Sequence, residues 1–100
     1  MNDNNTILIV DDEPGIRTVI RLLLESTGYA VLDADSGDAA LEILRSRTDV
    51  DLVIMDIMMP GMSGVEACGK LRAFTNAPVL FLTAKTQEQD KLAAYRNGGD

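Results

Sequence analysis

Three short blocks of the chain are continuously apolar: Ile7-Leu8-Ile9-Val10, Leu52-Val53-Ile54-Met55 and Val79-Leu80-Phe81-Leu82. Unbroken rather than alternating hydrophobicity is what strands covered on both faces require, so the blocks predict central strands of a parallel sheet. A weaker stretch, Ala30-Val31-Leu32-Asp33-Ala34, admits an acid and predicts an edge strand. Between these strands the period becomes helical. Ile16, Val19, Ile20, Leu23 and Leu24 recur at the spacing of one helix face and predict a core stripe, with Pro14 in the first turn and Gly28 at the stop. A second helix is expected from about Gly37 to Ser46, with Ala40, Leu41 and Leu44 on one face and Ser36 or Asp35 as its cap. Capping boxes at Ser63-Gly64-Val65-Glu66 and Thr86-Gln87-Glu88-Gln89 open a third and a fourth helix, and Asn97-Gly98-Gly99 ends the last. The fourth helix has a wholly polar first half and only Leu92, Ala93, Ala94 and Tyr95 to bury, so loose packing is expected there. The sum is (βα)₄: an α/β fold with a mainly parallel sheet and right-handed crossovers.

Composition narrows the chemistry. With 100 residues, 46% hydrophobic and 25% charged, the chain is one domain of globular type. A chain of this length buries roughly 65% of its unfolded surface, enough for a core without disulfides or a structural metal. Cys68 is the only cysteine, which excludes an intramolecular disulfide, and the absence of histidine removes Ser-His-Asp triads, imidazole ligands and an imidazole base together. A net charge of −7 repels phosphate backbones and anionic lipid, so no direct nucleic-acid or membrane binding is expected. The polar start, Met1-Asn2-Asp3-Asn4-Asn5, has no secretory pattern, and no apolar run approaches the ~20 residues that span a bilayer. A cytoplasmic, reducing location is the resulting expectation.

In open parallel sheets ligands bind beyond the carboxyl ends of the strands. The first strand delivers Asp11-Asp12-Glu13 there, the third Asp56 and the fourth Thr83. Converging carboxylates repel one another and call for a cation, and an oxygen-only donor set on short loops suits Mg²⁺. Any single acid after a strand is more often the N-cap of the next helix, and Asp12 or Glu13 could do only that. Recurrence on separate strand ends reverses the odds, because Asp56 is followed by the turn residues Pro60-Gly61 rather than by a helix. A carboxylate so placed beside Mg²⁺ can attack phosphorus and form an aspartyl phosphate. Thr83 can donate its hydroxyl to a phosphoryl oxygen, although a strand-end threonine commonly bonds its own turn instead.

Ile9-Val10-Asp11-Asp12-Glu13, Met55-Asp56-Ile57-Met58-Met59-Pro60-Gly61-Met62-Ser63-Gly64 and Phe81-Leu82-Thr83-Ala84 together resemble the receiver domains of two-component response regulators, along the whole chain. The resemblance implies a flavodoxin-like, doubly wound sheet in the order 2-1-3-4-5, with the first and third strands side by side. It implies Asp56 as phosphoacceptor, Asp12 as direct Mg²⁺ ligand, Asp11 acting largely through water, and the backbone carbonyl of Met58 as a third protein ligand. Thr83 matches the switch hydroxyl, with Ala84 leaving room behind it, and Met58 and Lys85 match the positions that modulate loss of the phosphoryl group. The implied donor is a phosphohistidine on a sensor histidine kinase or phosphotransfer protein. Kinase docking falls on Glu13, Ile16 and Val19; Val19 is expected in the core stripe and Ile16 partly exposed. Many such domains precede a DNA-binding output domain, so transcriptional control is the expectation for the parent protein.

The sequence also departs from this pattern. Receivers have five strand–helix units, and a fifth strand, with its phosphate-binding lysine and switch aromatic, is expected just beyond Asn97-Gly98-Gly99. Residues 1–100 therefore read as a single receiver domain, truncated at its C-terminus. Two expectations follow: the fourth strand becomes an exposed edge open to self-association, and apolar surface on the first helix is uncovered. Apolar Met58 cannot orient a hydrolytic water by hydrogen bonding, so self-dephosphorylation should be slow. Two alternatives stand beside the switch reading. A Mg²⁺-dependent phosphohydrolase of haloacid-dehalogenase type needs an acid two residues after the nucleophile, where Met58 stands; a non-phosphorylated interaction module has no evident reason to keep Asp11, Asp12, Asp56 and Thr83. No G-x-G-x-x-G follows the first strand, which counts against a dinucleotide site. Met55, Met58, Met59 and Met62 read as core or loop packing, and Cys68 as a small buried apolar residue.

Overall fold

The computed structural model describes residues 5–82. Along them run β1 (Thr6–Val10), α1 (Pro14–Ser26), β2 (Ala30–Ala34), α2 (Gly37–Ser46), β3 (Val50–Asp56), α3 (Gly64–Leu71) and β4 (Val79–Leu82). The fourth helix, Thr83, Ala84, Lys85 and Asn97-Gly98-Gly99 lie outside the described residues. The sheet is parallel throughout, in the order β2-β1-β3-β4, so the chain reverses its winding between β2 and β3 and leaves β1 beside β3. This is the α/β, receiver-like topology the motifs imply.

The hydrophobic pattern explains the layering. All five residues of β1 are buried, and on one face of the sheet Leu8, Val10, Val53 and Met55 pack with Ala40 and Leu44 of α2 and Ala67 and Leu71 of α3. Met59 joins this cluster and Met62 packs against it, as expected of packing methionines, whereas Met58 is 55% exposed. β2 is an edge strand, as its acid signals. β4, whose apolar run alone reads as central and which is also expected as an exposed edge, is the other edge among the described residues, and Leu80 on it is 56% exposed. A bulge separates Thr6 from Ile7: Thr6 pairs with Val50 and Ile7 with Leu52, and the extra residue, Asp51, accepts the Thr6 N–H on its carboxylate at 2.9 Å.

Helix ends follow the local chemistry. Ser36, not Asp35, caps α2 by accepting the Ala39 N–H at 3.1 Å, and Ser63 caps α3 by accepting the Glu66 N–H at 3.1 Å. Gly28, at φ +101°, closes α1 in a Schellman turn, its N–H donating to Glu25 and that of Tyr29 to Leu24. Arg47 and Asp49 in the α2–β3 connection pair through two hydrogen bonds, which hold the Asp49 carboxyl below its ordinary range and raise the Arg47 guanidinium. Cys68 is half-buried rather than fully buried.

α1 departs from its expected packing. No residue of the helix is fully buried. The positions turned toward the sheet are Ile16, Arg17, Ile20, Arg21 and Leu24, while Val19 (58% exposed), Leu22 and Leu23 face outward. At 3.6 residues per turn the covered stripe is rotated by roughly 60° from the apolar stripe Ile16-Val19-Ile20-Leu23-Leu24. On that covered side Asp33 of β2 forms ion pairs with both arginines, 3.8 Å from Arg17 Nε and 3.4 Å from Arg21 Nη2. Val19 is therefore not a core residue. In urea denaturation Leu8→Ala should lower stability by about 2–5 kcal/mol. Val19→Ser should change it by no more than ~0.5 kcal/mol, and a loss comparable to that of Leu8→Ala would restore Val19 to the core.

Candidate functional site

The register of β1 on β3 builds the site. Val10 pairs with Met55, so the residues that follow, Asp11 and Asp56, stand opposite each other at the carboxyl edge, and Asp12 lies one residue on. One carboxylate oxygen from each of Asp11, Asp12 and Asp56 lies within 4.8 Å of the others. Asp11 and Asp56 are each 1% exposed, and Asp12 is half-exposed. The three residues read from the strand ends are thus brought together.

Glu13 occupies the N-cap position of α1, and its side chain makes no capping hydrogen bond. Asp11 instead accepts the Glu13 N–H on Oδ1 at 2.9 Å, and Asp56 accepts the Met58 N–H on Oδ1 at 3.1 Å. Each carboxylate is thereby braced by the amide two residues on, with its loop folded around it. The donor set fits a small hard cation. Mg²⁺ binds oxygen at about 2.0–2.1 Å, so oxygens sharing one ion lie within ~4.2 Å of one another, and three carboxylate oxygens inside 4.8 Å come close to that span.

The loop after Asp56 is anchored at both ends. Ile57 N–H donates to Leu82 at the end of β4 (3.2 Å), and Gly64 N–H returns to the Ile57 carbonyl (2.9 Å). Between them, Gly61 at φ +76° follows Pro60, as a Pro-Gly turn demands. Gly64 is buried against the backbone of Asp56: a Cβ there would overlap the Asp56 carbonyl oxygen and come within 2.9 Å of the Ile57 Cα. The sequence marks Gly64 as part of a capping box and of the motif that begins at Met55; its tight approach to Asp56 has no local signal.

Other predicted residues fall beside this centre. Glu13, Ile16 and Val19 line one apolar groove of about 490 Å³ with Gly15, Ile20 and Leu82, between the start of α1 and the end of β4. Arg17, which the sequence reading passed over, donates from Nη1 to the Asp11 carbonyl at 2.6 Å. The signal for it was available as two arginines at i, i+4 on α1 and a lone acid in the apolar run of β2.

Comparison with known proteins agrees with this geometry. The family model for the response regulator receiver domain matches residues 7–100. Among curated proteins the chain is 44% identical over 99 residues to the transcriptional regulatory protein YvrH of Bacillus subtilis, covering 98% of this chain and 41% of that protein. The N-terminal domain of a response regulator receiver protein from Methanoculleus marisnigri superposes with a TM-score of 0.74 at 41% identity, over 91% of this chain and 76% of that one. The structure of histidine kinase ThkA in complex with response regulator TrrA matches with a TM-score of 0.74 at 38% identity, over 91% of this chain and 78% of that one. The chain belongs to the receiver-domain family of two-component response regulators, a non-enzymatic phosphoacceptor family whose members pair with histidine kinases. Its homologues include transcription regulators, and it spans about two fifths of the length of the curated relatives it matches. No helix among the described residues is long and apolar enough to cross a membrane.

Because the displaced atoms at Gly64 are backbone, Gly64→Ala should cost about 1–3 kcal/mol in urea denaturation. Its Met58 amide resonance should also move, reporting a displaced Asp56 loop; unchanged stability and an unmoved resonance would mean that the loop is not held as described.

Proposed function

We propose that Asp56 accepts a phosphoryl group and that the resulting charge change sets the state of an output domain elsewhere in a longer regulator. The observation that carries this is the convergence of three carboxylate oxygens within 4.8 Å, one of them on a 1%-exposed aspartate that ends a central strand. The donor we assign is a phosphohistidine of a sensor histidine kinase or phosphotransfer protein, in the cytoplasm. An Asp56 carboxylate oxygen bonds to phosphorus as the P–N bond breaks, the bonding pair stays on that ring nitrogen, and the imidazole leaves neutral because its other nitrogen already carries a proton.

The chain's own residues prepare that step. The Met58 amide fixes Asp56 Oδ1, and burial keeps bulk water from the carboxylate. Asp11, Asp12, Asp56 and the Met58 carbonyl are the groups we assign to holding Mg²⁺, which when bound neutralises charge on the phosphoryl oxygens. Thr83 and Ala84 are the proposed switch pair, and Met58 and Lys85 the residues that set how long the phosphoryl group lasts. Glu13, Ile16 and Val19 are proposed to dock the kinase, and their placement along one groove supports that. Residues 1–100 are read as one receiver domain in a protein of transcription-regulator type. Leu80, exposed on the β4 edge, is where self-association would form.

Intact mass after incubation with Mg²⁺ and acetyl phosphate should show one phosphoryl adduct on this chain and none on Asp56→Asn. An adduct on both would move the acceptor elsewhere, and none on either, even when the chain is extended through the family's fifth strand, would leave a non-phosphorylated interaction module. Met58 is 55% exposed at the mouth of the site, so Met58→Asn can present a polar group to water there. It should speed loss of the adduct several-fold, and an unchanged rate would remove Met58 from the proposed pair.

A further inference from the structure

Among the described residues, Arg17 of α1 donates directly to the backbone of the carboxylate cluster. Its side chain is 19% exposed and its guanidinium bridges two elements: Nη1 donates to the Asp11 carbonyl at 2.6 Å, and Nε lies 3.8 Å from Asp33 Oδ2 on β2. Asp33 stands on the neighbouring strand two positions before the level of Asp11, pairing with Ile9, and after the next pair, Val10 with Ala34, the Asp11 N–H donates to the Ala34 carbonyl at 3.1 Å. Both backbone groups of Asp11 are therefore held, the amide by β2 and the carbonyl by Arg17.

We propose that Arg17 is a positioning residue for divalent-cation binding. It locks the Asp11 peptide so that the Asp11 carboxylate keeps its bond to the Glu13 amide and faces Asp12 and Asp56. The inference rests on the reading of Asp11, Asp12 and Asp56 as the cation site. Its physical basis is the economy of the loop. Residues 11–13 are short and carry three consecutive acids, which repel one another and push the loop open in the absence of a cation. A guanidinium that accepts no hydrogen bond and always carries charge opposes that opening from the backbone side, without competing for the carboxylate oxygens. Asp33 keeps the guanidinium in place from β2, which gives the lone acid of that strand a purpose beyond marking an edge. Arg21 also pairs with Asp33, at 3.4 Å, but its other bonds go to Glu25 and to the Val31 carbonyl. It is the natural control.

The experiment is a Mg²⁺ titration of the 100-residue chain, followed by the amide resonances of Glu13 and Met58, for the parent, Arg17→Met, Arg17→Lys and Arg21→Met. Methionine keeps the apolar stem of Arg17 and removes its donors. Groups that orient a metal ligand change affinity by about 10- to 100-fold, and Arg17→Met, acting through the backbone, should raise the Mg²⁺ Kd by about 10-fold. Arg17→Lys keeps one charged donor and should recover most of that loss, with a Kd about 2- to 4-fold above the parent, while Arg21→Met stays within about 2-fold. Without Mg²⁺, the Glu13 amide should exchange with solvent faster in Arg17→Met than in the parent or Arg21→Met. Equal effects of Arg17→Met and Arg21→Met, or a Kd for Arg17→Met within 2-fold of the parent, would overturn the proposal. Should Arg17→Met lose its dispersed spectrum, Arg17→Lys decides, and a Kd indistinguishable from the parent's overturns it. A parent that shows no saturable Mg²⁺ response contradicts the cation site itself, and this inference falls with it.

Discussion

Pairing β1 directly with β3 brings the ends of two non-consecutive strands to the spacing of neighbouring strands, about 4.8 Å, and every feature of the carboxylate edge inherits that distance. Asp11 and Asp56 follow paired residues, so they project from adjacent strands at one level. The arrangement needs the right-handed crossovers of a doubly wound sheet: had β2 intervened between β1 and β3, the same two aspartates would stand about twice as far apart, beyond the reach of one small ion. The reversal of winding between β2 and β3 is what makes a site from acids that are 45 residues apart in sequence.

That proximity has an electrostatic cost that the surrounding loops must carry. Two unit charges about 4.8 Å apart repel by roughly 3 kcal/mol at an effective dielectric of about 20, and three carboxylates make three such pairs. The fold answers with local donors. Amides of Glu13 and Met58 each bond one carboxylate, and Gly64 lets α3 press on the Asp56 backbone so that its loop cannot swing outward. These bonds orient the acids without cancelling their charge, so a cation, or a modification that changes the charge of Asp56, alters the balance of the entire edge.

Periodicity and caps made the strands, the helices and their starts legible, because each depends on neighbours within four residues. Ser36 and Ser63 cap where their sequence context says, and the acid in Ala30–Ala34 marks an edge. The aspartates were legible for a different reason: acids that directly follow apolar strands must sit at the carboxyl edge once the sheet is parallel. Three features were not readable. The bulge at Asp51 depends on one N–H of Thr6 finding a carboxylate across the sheet, with no effect on hydrophobic pattern. Gly64 is required by a close approach between segments that are adjacent only after the Pro60-Gly61 turn has closed. The exposure of Val19 depends on the roll of α1, and an apolar stripe states which residues can be buried, not which arc of the helix the sheet takes up.

The roll of α1 links these points. On the α2–α3 face a closed apolar cluster fixes the helices by shape, through side chains such as Leu44 and Leu71 that are at most 1% exposed. α1 has no fully buried residue, so packing alone sets its axial position weakly. Directional contacts lie on its covered side: Arg17 and Arg21 meet Asp33, and Arg17 reaches the Asp11 carbonyl, while Val19 and Leu23 stand outside the covered stripe. Helix, edge strand and acidic loop are thus joined by polar groups on the side where apolar packing is thinnest. The same rotation leaves Val19, Leu22 and Leu23 on an open apolar flank beside the site. The covered stripe of α1 therefore carries two arginines with different reach: both meet Asp33, and Arg17 also extends to the Asp11 carbonyl in the loop that carries the acids.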